Sequence, residues 1–119
     1  MMKLKVLPPT LRKNYRYLTV EIKSESIISK DNLVTIMWDA CIRFQGELKT
    51  ADFDLWVMKF FEMENEDDYY SYKAIVRCQR GFVDEVRTSF ALSNMYNGGR
   101  ISMTTIGLSG TIKASEKFI

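Results

Sequence analysis

The sequence predicts a single α/β domain of the α+β sandwich kind, with four strands in one antiparallel sheet and two helices on one face, in the order βαββαβ. Three observations predict it. Apolar and polar residues alternate from Arg16 to Lys23, the two-residue period of a strand. Leu33, Ile36, Met37, Ala40, Cys41 and Phe44 follow at helical spacing. Residues 53–106 then hold two strand-like runs, a second helical stripe and a last strand. A length of 119 residues suits one domain, with 46% hydrophobic residues to fill its core.

Residues 1–14 read as an extended arm, because Pro8-Pro9 favours polyproline II and blocks a helix. Residues 15–119 form the domain. In the first strand Leu18, Val20 and Ile22 mark one face, and Tyr17, Thr19, Glu21 and Lys23 the other. Ser29 reads as the N-cap of the first helix, Asp31 suits its positive end, and Gly46 stops it. The second strand is expected from Phe53 to Phe61, with Trp56, Met58 and Phe60 on one face and Leu55, Val57 and Lys59 on the other. Glu62 to Asp68 is a solvated acidic connection. The third strand runs from Tyr70 to Cys78. A second helix is expected from Phe82 to Tyr96, burying Val83, Val86, Phe90 and Met95 and ending at Asn97-Gly98-Gly99. Arg100 to Ile106 is the fourth strand, Gly107 to Gly110 a turn, and a short basic tail closes the chain. This is the ferredoxin-like split βαβ pattern.

The sheet face away from the helices is predicted to carry Leu55, Val57 and Ile75. An apolar patch of that kind is either covered or functional. Its candidate occupants are the chain's own arm or tail, a second copy, or another protein.

Composition excludes several chemistries. With no His there is no Ser-His-Asp triad, Cys-His pair or His-ligated zinc. Two cysteines make neither a four-cysteine zinc site nor a disulfide framework. Met1 to Pro8 lacks the apolar region of a signal peptide, and no apolar run approaches the ~18 residues of a membrane span. A reducing cytoplasm is the expected compartment, with no membrane partner.

The net charge of +2 is segregated. Residues 1–30 carry seven basic and two acidic side chains, residues 31–70 three and ten, and residues 71–119 seven and three. The blocks are therefore +5, −7 and +4. A basic face can form where the two chain ends meet.

Other motifs are weaker. Asp52 and Asp54 would share one side of a strand, but no further acid or base joins them, so they read as a solvated strand start. The acidic run lacks EF-hand spacing. Gly107-Leu108-Ser109-Gly110 matches the GxxG of KH domains but follows a strand. Arg80-Gly81-Phe82 opens like the RNP1 motif, yet at a helix entrance rather than on the third strand. Ser109 and Cys78 have no base beside them in sequence. The arm and first strand, Thr10 to Tyr17, interleave three cations with two Tyr, a composition suited to phosphates and bases.

Leu7-Pro8-Pro9-Thr10-Leu11-Arg12-Lys13 with Arg16-Tyr17 resembles the opening of archaeal ribonuclease P protein component 2, a family that includes a eukaryotic RNase P/MRP subunit. Trp56-Val57-Met58-Lys59-Phe60 and Ala74-Ile75-Val76-Arg77-Cys78 resemble its second and third strands. Ile106-Gly107-Leu108-Ser109-Gly110-Thr111-Ile112-Lys113, with Lys117-Phe118-Ile119, resembles its ending. The resemblance implies an RRM-like sandwich serving ribonuclease P, which removes the 5′ leader from precursor tRNA. It also implies that catalysis belongs to the RNA subunit and its Mg2+, and that this chain binds no cofactor. The implied partners are the ribonuclease P RNA and component 3, a TIM-barrel-like subunit, with self-association into a heterotetramer and indirect contact with precursor tRNA. The tail after Ile112 is less basic than in many relatives, which shifts weight to the arm.

Charge and placement make Arg12, Lys13, Tyr15, Arg16, Arg77, Arg80, Arg100 and Lys113 the candidate RNA contacts. Leu55, Val57 and Ile75 are the candidate protein interface. No catalytic or metal-ligating residue is expected in this chain. Two other functions fit the same fold: a ferredoxin-like regulatory or ligand-binding domain without an RNA role, and a protein scaffold using the sheet face alone.

Overall fold

The computed structural model describes residues 14–119. Its elements are β1 (Tyr15–Ser24), α1 (Lys30–Gln45), α2 (Glu47–Ala51), β2 (Trp56–Glu62), β3 (Tyr70–Gln79), α3 (Val83–Leu92), β4 (Met95–Tyr96), β5 (Gly99–Ser109) and α4 (Ile112–Ser115). Short 3-10 turns cover Arg80–Phe82 and Glu116–Phe118. One antiparallel sheet has the order β2-β3-β1-β5-β4. The βαββαβ order holds, with a fifth, two-residue strand added.

Ser29 caps α1 as expected. Its hydroxyl accepts from the Asn32 N–H, and the Asn32 side chain accepts from the Ser29 N–H, both at 3.1 Å. Leu33, Ile36, Met37, Ala40 and Cys41 are buried, whereas Phe44 lies past the edge of the core and is 38% exposed. The second helix stops at Leu92, short of the expected Tyr96. Met95 is therefore exposed and forms β4 instead. Asn97 and Gly98, at φ 53° and 77°, make the two-residue turn between Tyr96 and its partner Gly99. That is hairpin geometry of the type I′ kind, which Asn-Gly favours.

The core lies between the sheet and the helices. Leu18, Val20 and Ile22 of β1 pair with Val76, Ala74 and Tyr72 of β3, and all point at α1 and α3. Burying each large aliphatic side chain contributes about 1.5–3 kcal/mol. Tyr72 keeps its polar end satisfied, accepting the Ile28 N–H at 3.0 Å.

The expected patch on the opposite face is corrected at β2. Val57 pairs with Val76 and faces the helices, and Leu55, just before the strand, is in the same core; they are 8% and 3% exposed. They are not offered to a partner. A β-bulge at Met58 explains the error. The extra residue shifts the alternation, so Trp56 pairs with Arg77 on the far face while Phe60 pairs with Ala74 on the core side. Unbroken alternation places Phe60 correctly and reverses Trp56 and Val57.

Ile75 does lie on the far face, beside Thr19, and both are fully buried. The chain's own C-terminal segment covers them. Thr19 Oγ1 donates to the Ser115 carbonyl at 3.2 Å, and Ser115 is itself buried. Lys59 bonds Glu116 at 2.7 Å. Lys73 Nζ donates to the Phe118 and Ile119 carbonyls, each at 3.1 Å. The Phe118 ring rests on Gly107, where any Cβ would collide with it. The tail is thus a folded cap seated on the middle of the sheet, and β5 runs through the expected turn as far as Ser109.

Candidate nucleic-acid interface

The first row of the far face extends past this cap toward β2, while its β5 member Ser109 is tied to the cap through the Ser115 hydroxyl and the Thr111 carbonyl. Pairing sets Trp56, Arg77, Tyr17 and Ser109 side by side on β2, β3, β1 and β5. Neighbouring strands stand about 4.8 Å apart. Arg77 is the hub of the row. Its guanidinium lies over the Tyr15 ring, 4.3 Å from the centroid, and 5.8 Å from the Trp56 centroid. It donates to the Asp54 carbonyl at 3.4 Å and stands 3.9 Å from the Asp54 carboxylate. Tyr15 donates its hydroxyl to the same carboxylate at 3.1 Å. Asp54 makes these contacts from a left-handed backbone (φ 53°), and β2 begins only at Trp56. Asp52 is instead the C-cap of α2. The two aspartates therefore do not share a strand face.

These contacts sort the eight candidate RNA contacts. Arg12 and Lys13 lie outside the described residues. Tyr15 and Arg77 are internal partners that hold Trp56 from behind. Arg16 donates to the Tyr15 carbonyl at 3.0 Å and reaches toward Gly110. Arg80 is exposed, and its backbone N–H donates to the Asn14 carbonyl at 2.8 Å, where the described chain begins. Lys113 is exposed on α4, which Thr111 caps by accepting the Ala114 N–H at 3.1 Å. Arg16, Arg80 and Lys113 thus share one end of the sheet. Arg100 does not. It lies beyond Ile101, the partner of Ser24, at the far end of β1 and 3.7 Å from Glu25. Ten residues of β1 separate the two ends by about 30 Å.

The acidic connection sits at the far end with Arg100. It is a β2–β3 hairpin in which Glu66 and Tyr69 exchange backbone hydrogen bonds, leaving Glu64, Asp67 and Asp68 exposed. Glu66 pairs with Lys23 at 3.1 Å and holds that ammonium above its ordinary pKa. Arg16, Arg80 and Lys113 at one end face the exposed Glu64, Asp67 and Asp68 at the other, while Asp54 at the first end is tied to Tyr15 and Arg77 and Lys23 at the second to Glu66.

Neither cysteine offers a nucleophile. Cys41 and Cys78 are buried between α1 and the sheet, and desolvation pushes each thiol up to about 12. The GxxG run ends a strand and joins no helices, so it lacks the KH context.

A profile of the Rpp14/Pop5 family matches residues 16–119. The chain belongs to the Rpp14/Pop5 family. It is 64% identical over 118 residues to ribonuclease P protein component 2 of Methanobrevibacter smithii, covering 99% of this chain and 98% of that protein. The proteins of the same description from Methanothermobacter thermautotrophicus and Pyrococcus abyssi are 38% and 40% identical, over 94% and 92% of their lengths. The Rpp14/Pop5 match runs through Ile119, so the C-terminal cap belongs to the matched unit. The arm lies before that unit, yet the alignment with the M. smithii protein takes in nearly the whole chain.

The sequence reading missed the exposure of Trp56, which is 61% exposed at the edge of the sheet. No residue signals the bulge that turns it outward. The Asn97-Gly98 hairpin did have a signal, in the dipeptide itself.

Proposed function

We propose that this chain is a protein subunit of ribonuclease P, supporting the catalytic RNA in removing the 5′ leader from precursor tRNA. The observation that carries the reading is Rpp14/Pop5 membership, with relatives described as ribonuclease P protein component 2 matched over nearly their whole lengths. The geometry is consistent with it. The cations of Arg16, Arg80 and Lys113 gather where the arm enters the sheet, and the acidic hairpin stands at the other end. The RNA is then held at the cationic end, and Arg12 and Lys13, which precede Asn14 in the sequence, are proposed as further contacts.

In this reading the hydrolytic chemistry and its Mg2+ belong to the RNA, and the protein supplies charge and shape. Component 3 and a second copy of this chain are the proposed protein partners, and the cytoplasm the proposed compartment. The outer surface of α2, where Leu48 is 90% exposed, is available for them.

Reconstitution tests the proposal. RNase P RNA and the other protein subunits are assembled with and without this chain, and precursor-tRNA cleavage is measured at moderate Mg2+. The expected result is a faster rate with the chain present. An unchanged rate overturns the reading.

A further inference from the structure

Trp56 stands out among the surface groups that the proposed function leaves unused. Its ring is 61% exposed, yet it is held in place from one side. Here the pinning is explicit. Tyr15, the Arg77 guanidinium and Trp56 form a column, and Asp54 fixes its first two members. Trp56 is the most exposed member of the column, so a further layer can be added on its ring. Trp56 also borders a groove of about 510 Å³ between α1 and β2, with Val34, Trp38 and Ala51 as apolar lining and Lys30, Asp31 and Asp54 beside them.

We propose that Trp56 and this groove hold one unpaired nucleobase of the bound RNA. This rests on the ribonuclease P reading and adds a base-binding subsite to it. Flat walls and a cation-backed ring suit the π-face of a base. A carboxylate at the rim repels phosphate but accepts hydrogen bonds from the exocyclic amine of adenine, cytosine or guanine. The backbone of such a nucleotide would turn toward Arg80 and Lys113 at the same end of the sheet. The C-terminal cap covers the middle rows of the sheet, where single-strand-binding sheets stack their bases, and holds Ser109 of the end row, which leaves the Trp56 edge of that row as the place for a stack.

The test titrates the full chain with hexaadenylate at fixed salt, and takes the Trp56 emission as the difference between the parent and Trp56→Phe chains. Saturable quenching of Trp56 is expected. Trp56→Ala should weaken binding by about fivefold to a hundredfold, the range of base–aromatic stacking. Trp56→Phe keeps a ring and should stay within about threefold of the parent, which guards against misfolding as the cause. The salt slope should not change, since a stack releases no counterions. Equal hexaadenylate affinity for the Ala and parent chains, without quenching, overturns the inference. So does loss of holoenzyme cleavage in Trp56→Ala with hexaadenylate affinity intact, because the ring then anchors a protein. Either result leaves the reconstitution test of the subunit reading standing on its own.

Discussion

Replacing Gly107 by alanine drives a methyl group into the Phe118 ring. The new Cβ would stand 2.5 Å from both Cγ and Cε2 of that ring, about 1 Å inside ordinary contact. The backbone cannot yield easily, because Gly107 is held against Thr19 in the sheet. The ring must therefore lift, straining the Lys73 bonds to the Phe118 and Ile119 carbonyls. Overpacking of this kind costs about 1–3 kcal/mol. With Phe118→Ala already in place, the three atoms nearest to the new methyl are gone. Gly107 lacks a left-handed φ, so alanine then stabilises by about 0.4–1 kcal/mol through the unfolded chain. The substitution should change sign with its background.

Urea denaturation of the four proteins in this double-mutant cycle measures the effect, with the denaturant slope checked for constancy. A coupling of about 2 kcal/mol is expected, in the upper part of the range for touching residues. Gly107→Ala costing the same in both backgrounds, within about 0.5 kcal/mol, would refute the reasoning. It would mean that the tail is not seated on the sheet in solution.

Ser29→Ala removes half of the reciprocal cap of α1 and should lower stability by about 1 kcal/mol in the same assay. The buried thiols have folded pKa values raised to about 12 from 9.0, so their contribution is complete below pH 9 and is lost as pH rises toward 12. Each thiol accounts for about 1.4 kcal/mol per pH unit in that window, and Cys78→Ala should make the decline with pH shallower by that amount. Filter-binding titrations with RNase P RNA across a salt series should give Arg80→Ala and Lys113→Ala slopes lower by about 0.7–0.9 each, while Arg100→Ala keeps the parent slope. Neutralising Glu64, Asp67 and Asp68 with their amides should leave RNA affinity unchanged at 0.15 M salt, where fields fade within about 8 Å; tighter binding there would place RNA over the hairpin.

Periodicity made the architecture legible, and irregularity hid the details. The stripe from Leu33 to Cys41 and the alternation in β1 both identify buried faces, because one period persists through each element. Met58 breaks the period in β2, and a bulge has no reliable residue signature, so unbroken alternation puts Leu55 and Val57 on the wrong side. The helix expected to reach Tyr96 stops at Leu92 because Asn97-Gly98 closes a hairpin and needs Met95 and Tyr96 extended. The candidate site was legible as charge but not as geometry. Arg77 reads as one more cation in a basic strand, and only the pairing of β1, β2 and β3 shows it bound to Tyr15, Trp56 and Asp54. Arg100 reads as one more cation of the C-terminal block, yet an antiparallel strand carries its two ends to opposite poles.

That last point gives the small net charge its meaning. A charge of +2 spread evenly over the surface would orient nothing. Here β1 starts beside Arg80 and ends beside Arg100 and the hairpin, so antiparallel pairing turns a segregated sequence into a polar object about 30 Å long. That separation exceeds the roughly 8 Å over which charges act at physiological salt, so the two poles work independently. The cationic pole can hold phosphate at close range without cancellation by the acidic one. The acidic pole meanwhile disfavours an RNA lying along the whole sheet. The same separation explains why the C-terminal segment can cap the middle of the far face at no electrostatic cost to either end. Its Glu116 and terminal carbonyls engage Lys59 and Lys73, the two mid-sheet lysines, and leave Arg80 and Lys113 facing outward.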